Sequence, residues 1–437
     1  SGTGYSHAVV LAKSFDECVL RVPSLESVWD YEGRDVLVDA MDNKLLIEPT
    51  DEERESRPWP IQMEPFEDTE RFARLWVNIL RPSQLSDFNW GQVAGVGLYR
   101  TETLFMEKDR EFPTESEQYE VYAELFRHAE GKTVTVRTLD IGADKPAAYL
   151  WLGPQDNPQL GLRAHRLYHF HPEILITQVR ALLRAADGFG RLRVMYPMIE
   201  SIDQFEFVRG LTDHAMKTLR QEGAEFKDDF EQGILVETPS AVWSFPTILR
   251  TADFASVGTN DLVQYLFAVD RNAASVSSMY SSEHPIVFQV LKTLASQAAE
   301  ADKPISVCGE MAADLRAMPV LLGLGMRDLS VSPRAVPIVE NALRDHELDD
   351  CYNLAESCLR CDHGREVEEI LDDWMGVPHR PETPPERDII DPVCKEKIDP
   401  QETNHVVSVG QVKYYFCSQK CQDTFVQWTP QQASEKH

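Results

Sequence analysis

Short apolar runs alternate with amphipathic segments through the middle of this chain. Six runs rich in β-branched residues predict buried strands: GVGLYR, TVTVRTLDIG, LRVMYPMI, QGILVETP, FASVGTNDL and PISVCGEM. Between them, segments such as SEQYEVYAELFRHA, PEILITQVRALLRAA and SIDQFEFVRGLTDHAMKTLRQEG space their apolar residues as amphipathic helices do. Repeated strand–helix units from about residue 70 to 345 predict an α/β fold, and they favour a (β/α)8 barrel over an open sheet.

The pattern changes on both sides of this region. Upstream, AVVLAKSF, the strand-like RDVLVDA, a turn at MDN and KLLIEP predict part of a small α/β domain, TDEERESRP is typical of a linker, and DTERFARLWVNI predicts a helix. Downstream, HELDDCYNLAESCLRCDHGREVEEILDDWM predicts closing helices, and the Pro-rich PHRPETPPERD predicts a linker before a compact cysteine-containing tail. The expected boundaries are 1–50, 51–69 (linker), 70–376 (barrel with closing helices), 377–388 (linker) and 389–437.

Composition narrows the possible partners. The 437 residues carry a formal net charge of −29, which argues against nucleic acid because phosphate backbones need a basic face. No apolar run approaches the roughly 18 residues that a membrane-spanning helix needs. Since no export signal is visible, the eight cysteines are expected to be reduced, as in the cytoplasm. An anionic substrate would therefore be held by locally clustered Arg or Lys, or by a bridging cation.

Polar residues follow most of the predicted strands at the point where each strand ends. In a (β/α)8 barrel these positions form the catalytic rim. Arginine binds phosphate and carboxylate groups through paired hydrogen bonds, and a Glu and an Asp from successive loops can hold Mg²⁺. Ordinary ion pairs would explain any one of these residues, but their convergence on one face favours a site for a polyanion. The set comprises Arg100, Glu102, Arg137, Asp140, Lys145, Arg163, Arg166, Glu237, Asn260, Asp261, Asp270, Arg271, Cys308 and Glu310.

Two residues allow more than one interpretation. His7, in SGTGYSHAVVLAKSF, is a candidate structural imidazole, metal ligand or group-carrying histidine. Cys308, at the end of an apolar strand, is either a small buried apolar side chain or a thiol that exchanges a proton with carbon. The residues alone favour the apolar role for Cys308.

The region from Ala94 to Pro333 resembles the phosphoenolpyruvate (PEP)-binding barrel of enzyme I of the bacterial sugar phosphotransferase system. The resemblance rests on long collinear motifs: GVGLYRTETLFM, PTESEQYEVYAE, RTLDIGADK, NPQLGLRAHR, TQVRALLRAA, MYPMIES, ILVETPSA, SVGTNDLVQY, VCGEMAAD and LLGLGMRDLSVSP. It implies a phosphate site, a Mg²⁺ site and a proton donor to the enolate carbon of the forming pyruvate. The residues implied are Arg100, Arg137, Arg163, Arg271 and Asn260 for phosphate, Glu237 and Asp261 for Mg²⁺, and Cys308 for the proton.

The opening segment is similar to the swivelling phosphohistidine domain of the same family. That resemblance implies that His7 is the nucleophile that takes the phosphoryl group, although Thr3, Tyr5 and Lys13 depart from the usual motif. Enzyme I carries further residues upstream: the first half of the swivelling domain and a helical domain that docks its histidine phosphocarrier protein. Either this chain is a piece of a longer protein or a separate polypeptide supplies the missing half, and we expect the former. The implied activity is PEP–protein phosphotransfer by a homodimer associated through the barrel. The alternatives are a dikinase or PEP-synthase type of enzyme, and a non-catalytic sensor of PEP and metal.

The tail IIDPVCKEKIDPQETNHVVSVGQVKYYFCSQKCQDTFVQWTP resembles the YHS domain and the similar TRASH-like metal-binding module. Cys394, Cys417 and Cys421 supply three thiols, the last two on one helical face if FCSQKCQDTF is helical. Three thiolates suit Zn²⁺ or Cu⁺, with His405 or a water as the candidate fourth ligand. A small aromatic-rich domain with reduced thiols and no metal is the alternative.

A second group of possible ligands has the spacing C-x6-C-x2-C-x-H. Cys351 and Cys358 share a face of the predicted helix, whereas Cys361 and His363 diverge from it. Core or surface cysteines are therefore favoured over a second metal site.

Overall fold

The first described segment is an antiparallel pair of strands followed by a short helix. The computed structural model describes residues 31–39, 44–55, 72–86, 88–91, 93–106, 111–142, 150, 155, 157–271, 273, 276–377, 389–394, 396–399, 403–409 and 412–428. Strand β1 (Val36–Asp39) lies in the strand-like segment RDVLVDA, and it pairs with β2 (Lys44–Ile47) in KLLIEP. Helix α1 (Asp51–Glu55) lies within the stretch predicted to be a linker. The predictions for His7, AVVLAKSF, MDN and Lys145 fall outside the described residues.

Eight parallel strands close into a barrel, which confirms the predicted architecture. Each strand pairs with its neighbour along the chain, and the last strand pairs with the first. The strands are β3 (Arg74–Ile79), β4 (Val93–Arg100), β5 (Thr133–Arg137), β6 (Leu192–Tyr196), β7 (Glu231–Val236), β8 (Phe254–Val257), β9 (Ile305–Val307) and β10 (Asp328–Val331). Because all eight run in one direction, their carboxyl ends meet at a single rim.

Strand β3 contradicts the helix that DTERFARLWVNI predicts. Leu75, Trp76 and Val77 are consecutive and all buried, since a barrel strand has the barrel interior on one side and helices on the other. A short continuous apolar run does not distinguish a strand from a helix by periodicity. Pairing with β10 on one side and β4 on the other makes this segment a strand.

Helices follow the strands and cover the outside of the barrel. Their ends obey local capping chemistry: Thr114 and Glu117 form a capping box at the start of α3, and Gly223 ends α6 in the left-handed conformation, with φ of 69°. The helices through the barrel are α2 (Glu102–Met106), α3 (Glu115–His128), α4 (His165–Tyr168), α5 (Pro172–Ala185), α6 (Ile202–Glu222), α7 (Pro239–Ile248), α8 (Thr259–Phe267), α9 (Pro285–Glu300), α10 (Met318–Gly323) and α11 (Ala335–Arg344).

Two closing helices, α12 (Leu348–Leu359) and α13 (Gly364–Met375), lie where the sequence predicts them. Cys351 and Cys358 are fully buried in the main hydrophobic core, which confirms the core interpretation of these two thiols. Burial raises the pKa of Cys351 to about 11 and that of Cys358 to about 12. None of the helices within the described residues is both long and apolar enough to cross a membrane.

The carboxyl-terminal module contains two antiparallel strand pairs and one helix within its described residues. Strand β11 (Ile389–Ile390) pairs with β12 (Lys397–Ile398), β13 (His405–Val409) pairs with β14 (Val412–Phe416), and α14 (Gln419–Trp428) follows. Phe425 of α14 packs against Phe416 and Tyr414, with ring centroids 5.1 and 4.7 Å apart. This aromatic cluster covers one face of the β13–β14 pair.

The interior of the barrel is so tightly packed at Gly97 that a methyl group has no space. A Cβ atom there would lie 2.2 Å from Ser330 Oγ and 2.7 Å from Trp76 Cβ. We expect Gly97→Ala to lower the free energy of unfolding by about 1–3 kcal/mol in urea titrations. Gly210→Ala on α6 is the matched control, because no atom lies within 4 Å of that position and alanine favours a helix by up to about 1 kcal/mol. Equal effects of the two substitutions would contradict this packing.

Candidate active site

Charged side chains converge at the carboxyl rim of the barrel, as the strand-end positions predict. Arg100 and Arg137 are the last residues of β4 and β5, and Glu237 directly follows β7. Asp261 lies in the first turn of α8, after β8, and Cys308 directly follows β9. Five different strands therefore bring these side chains together, although the chain separates them widely.

Arg137 is a buried cation held by two carboxylates. Its Nη2 atom pairs with Glu102, and its Nη1 atom lies 3.4 Å from an oxygen of Asp140. Burial opposes the charged guanidinium, but the negative charges of Glu102, Asp140 and Glu237 outweigh burial and raise the pKa of Arg137. The Nε atom of Arg137 is buried and donates to no acceptor within the described residues. Arg137 therefore stays charged and keeps one unused donor.

Arg163 is fixed even more rigidly. Its Nε and Nη2 atoms donate to the two oxygens of Asp140 over 3.0 and 2.8 Å, and its side chain is only 1% exposed. Its Nη1 atom donates to Gln159 at 3.1 Å and to the Tyr265 hydroxyl at 3.2 Å. Although burial disfavours the cation, Asp140 and Asp261 raise the pKa of Arg163 well above its usual value.

Asp261 connects two of the predicted phosphate-binding arginines. One carboxylate oxygen lies 3.6 Å from Arg163 Nη2, and the other lies 3.0 Å from Arg271 Nη2. A residue predicted to hold a metal ion thus pairs with residues predicted to hold phosphate. In this structure the predicted metal ligand Asp261 and the predicted phosphate ligands Arg163 and Arg271 therefore neutralise one another as ion pairs.

Glu237 is the more deeply buried of the two carboxylates, Glu237 and Asp261, that are predicted to hold the metal ion. It is 1% exposed and accepts a 2.6 Å hydrogen bond from the backbone N–H of Met198, a residue that adopts a positive φ of 56°. Burial, with added repulsion from Asp261 and Asp140, raises the pKa of Glu237 to about 8. A nearby cation would favour its ionised form. Together, Glu237 and Asp261 offer the oxygen ligands that Mg²⁺ prefers, so the residues present fit this ion.

Cys308 lies between the apolar barrel interior and the charged rim. It packs with Leu98, Met195, Leu235 and Phe254, and its thiol donates to the Val257 carbonyl over 3.6 Å. Burial raises the pKa of Cys308, and the neighbouring Arg100 and Arg137 only partly offset that effect. The thiol is therefore protonated at neutral pH and can act as a proton donor.

Asn260 has a fixed orientation beside this thiol-bearing loop. Its side-chain oxygen accepts the Glu310 backbone N–H at 3.1 Å, which determines how the amide is turned. Glu310 thus contributes its backbone N–H, which orients the Asn260 amide. Asp270 is exposed at the end of the segment that leads to Arg271.

Arg166 is not part of the charge cluster around Asp140. Its guanidinium pairs with Glu200 and donates to the Leu160 carbonyl at 2.8 Å. The pKa of Glu200 falls to about 2, because hydrogen bonds from His165 and Arg166 outweigh the effect of burial. This separate ion pair accords with the ordinary structural interpretation of a rim arginine.

The sequence interpretation missed a layer of buried polar residues beneath the arginines. Gln178 of α5 accepts the Leu139 N–H at 2.9 Å and donates to the hydroxyls of Thr101 and Tyr122. Thr101 in turn donates to the Arg137 carbonyl at 3.0 Å. The available signal was a glutamine on the apolar face of a helix, where an uncompensated polar group is costly.

The three predicted thiol ligands of the carboxyl-terminal module lie together. Cys417 Sγ is 3.5 Å from Cys394 Sγ and 3.7 Å from Cys421 Sγ. Helix α14 begins at Gln419, so Cys417 precedes it and the condition for a shared helical face with Cys421 is not met, although the two sulfurs are adjacent. Within the described residues, the group of donor atoms suited to a metal adds Asp391 to the three cysteines and does not include His405, one of the two candidates for the fourth ligand.

Loss of the shared carboxylate at residue 140 would leave buried Arg137 with Glu102 as its remaining paired carboxylate, and would leave buried Arg163 with Asp261 at 3.6 Å in place of its bidentate partner. We expect Asp140→Asn to lower the free energy of unfolding by about 3–5 kcal/mol, measured by urea titration. Glu369→Gln is the control, because Glu369 pairs with Arg365 at 2.9 Å on an exposed helix face, where such pairs contribute about 0–1 kcal/mol. A comparable effect of both substitutions would contradict the proposed importance of the buried network.

Comparison with known proteins supports this reading of the barrel. The profile of the PEP-utilising enzyme, PEP-binding domain family matches residues 53–348. The phosphoenolpyruvate-protein phosphotransferase of Staphylococcus carnosus is 35% identical over 385 residues, which cover 84% of this chain and 66% of that protein. Multiphosphoryl transfer protein 1 of Escherichia coli K12 is 33% identical over 384 residues, which cover 84% and 46% of the two chains.

A third relative, the phosphoenolpyruvate-protein phosphotransferase of Staphylococcus aureus Mu50, is 32% identical over 386 residues, covering 85% of this chain and 67% of that protein. The chain thus spans between about half and two thirds of the length of these relatives. The family profile covers more than half of the chain and includes every strand of the barrel. The chain belongs to the family of PEP-utilising enzymes that carry this PEP-binding domain.

Proposed function

We propose that this chain is a PEP–protein phosphotransferase. PEP binds at the carboxyl rim of the barrel, His7 takes its phosphoryl group, and a histidine phosphocarrier protein receives that group in turn while pyruvate is released. The observation that carries the proposal is the convergence of Arg137, Arg163, Glu237 and Asp261 with a buried thiol at one rim. The names of the similar proteins are in keeping with it.

Substrate binding requires an exchange of partners at the rim. Arg163 and Arg271 pair with the carboxylate of Asp261 in the structure. A phosphate that binds these arginines would replace that carboxylate, which could then bind another cation. The unused Nε atom of Arg137 and the oriented amide of Asn260 supply further donors. Arg100, Arg137, Arg163 and Arg271 would then spread the negative charge of a loose phosphoryl-transfer transition state.

Glu237 and Asp261 are the residues that would hold Mg²⁺. When bound, this ion would neutralise part of the negative charge of the phosphate and polarise the phosphoryl oxygens. The elevated pKa of Glu237 fits this role, since burial and the surrounding carboxylates leave it in need of a cation to be ionised.

The chemistry transfers one phosphoryl group and one proton. An imidazole nitrogen of His7 attacks phosphorus, and the bond between phosphorus and the enol oxygen breaks, so that the enolate of pyruvate remains. The Cys308 thiol gives its proton to the terminal carbon of that enolate, which becomes the methyl group of pyruvate. The resulting thiolate takes a proton from solvent.

Homodimerisation through the barrel stays a prediction.

We also propose that the carboxyl-terminal module, residues 389–437, is a YHS-like metal-binding domain. The specific support is the grouping of the Cys394, Cys417 and Cys421 sulfurs. Thiolate ligands suit Zn²⁺ or Cu⁺.

Transfer to His7 has a direct test. We expect the chain to take up label from PEP labelled in its phosphoryl group in the presence of Mg²⁺, in an acid-labile and base-stable linkage typical of phosphohistidine. His7→Ala should abolish uptake because it removes the nucleophile, whereas His214→Ala, at an exposed position on α6, should retain it. Undiminished labelling of His7→Ala would refute the assignment of the nucleophile. No labelling of the parent chain would instead favour the sensor alternative.

Proton delivery by Cys308 has a separate test. We expect Cys308→Ala to slow pyruvate release, followed with a coupled dehydrogenase, by about 10²-fold or more because the enolate loses its acid. PEP binding measured by calorimetry should be retained. Cys361→Ser is the matched control, since that thiol is partly exposed just after α12 and donates to the Ser357 carbonyl in the last turn of that helix. Normal pyruvate release by Cys308→Ala would remove Cys308 from the mechanism.

A further inference from the structure

The thiol cluster of the carboxyl-terminal module has an acidic neighbour at a meaningful spacing. Asp391 stands three residues before Cys394, and Cys417 stands four residues before Cys421. The pattern D-x2-C…C-x3-C therefore presents two closely spaced pairs of possible ligands from two separate segments. Closely spaced pairs of this kind are typical of four-coordinate zinc sites.

Backbone hydrogen bonds hold the Asp391 carboxylate between the two thiol-bearing segments. One oxygen accepts the N–H groups of Val393 and Cys394 over 2.8 and 3.3 Å, and the other accepts the N–H of Cys417 over 2.9 Å. A carboxylate has about four acceptor positions. The thiols of Cys417 and Cys394 also hydrogen-bond to the Asp391 side chain, so an ion that replaces the thiol protons would meet the carboxylate at the same place. Carboxylate ligands of metal ions are commonly hydrogen-bonded in this manner, because such bonds fix their orientation.

The spacing of the donor atoms matches one small ion. The sulfurs of neighbouring thiols are 3.5 and 3.7 Å apart, and one donor atom from each of the four residues lies within 4.8 Å of all the others. Zinc–sulfur bonds of about 2.3 Å in a tetrahedron place sulfurs roughly 3.8 Å apart. The side chain of Asp391 is buried while Cys394 and Cys417 are exposed, so an ion would enter past the thiols and meet the carboxylate behind them.

We propose that Asp391 is the fourth ligand of this site and that the site takes a divalent ion of the Zn²⁺ class. The inference rests on the metal-binding function proposed above for the module, and it supplies the ligand that the three cysteines lack. A carboxylate oxygen is a hard ligand that suits Zn²⁺, whereas Cu⁺ is served by soft sulfur ligands alone. The set of three thiolates and one carboxylate therefore distinguishes between the two ions.

Cobalt(II) is the probe, because its visible absorption reports coordination number and thiolate ligands. We expect the reduced, metal-free full chain to bind one Co²⁺ at this site with the intense bands of a tetrahedral thiolate complex. Asp391→Ala should weaken binding by about 10-fold or more. Asp391→Cys should bind Co²⁺ with a spectrum shifted towards four sulfur ligands. Asp423→Asn, on the exposed face of α14, and Cys361→Ser should leave the titration unchanged.

Each outcome decides a separate point. Parental affinity and spectrum in Asp391→Ala would show a site of three thiols and would overturn the role of Asp391. Asp391→Ala and Asp391→Cys both lose the three backbone hydrogen bonds to the carboxylate, but Asp391→Cys restores a metal ligand at this position, so it serves as the second arm if the alanine variant unfolds. A folded Asp391→Cys chain that binds no Co²⁺, or whose spectrum equals that of the parent, would overturn the proposal. Binding of Cu⁺ without Co²⁺ or Zn²⁺ would overturn the divalent assignment, and binding of none of these ions would refute the metal function itself.

Discussion

Two guanidinium groups buried at the end of a barrel set the conditions for everything around them. Arg137 and Arg163 share the carboxylate of Asp140, and Glu102 and Asp261 supply the remaining negative charge. Charges this deep are tolerated only when they are paired and hydrogen-bonded. The bidentate geometry at Arg163 meets that requirement. The carboxylates of Asp140 and Asp261, which pair with the arginines, also add to the effect of burial in raising the pKa of Glu237.

The barrel and most of the rim could be predicted from the sequence because each depends on local order. Strand–helix alternation gives the parallel sheet, and a polar residue directly after an apolar strand lies at the carboxyl rim whatever its neighbours are. The ion-pair and hydrogen-bond partners of these residues could not be predicted from local sequence, since Arg163 contacts Tyr265 and Asp261, which lie in distant segments of the chain. The resemblance to enzyme I named residues, but it did not show that metal and phosphate ligands pair with each other.

The errors have physical causes as well. Strand β3 has three consecutive buried apolar residues, Leu75, Trp76 and Val77, and a run this short carries no period that would distinguish it from a helix. In the carboxyl-terminal module, histidine is a common zinc ligand, so residue type made His405 a candidate beside a water, but residue type carries no information on strand register. The β13–β14 pairing places His405 opposite Phe416, next to Cys417 in sequence yet outside the group of donor atoms. The position of Asp391 beside Cys417 depends on contacts between segments that lie far apart in the sequence.

The double pairing of Asp261 has a thermodynamic consequence for how the site fills. Arg163 and Arg271 both pair with its carboxylate. Under the function proposed above, a cation at Asp261 would compete with these two arginines, and a phosphate bound to the arginines would free the carboxylate for the cation. Each ligand would thus displace a group that competes with the other, and by linkage each would raise the affinity for its counterpart by the same factor. Such a site would fill cooperatively with the pair.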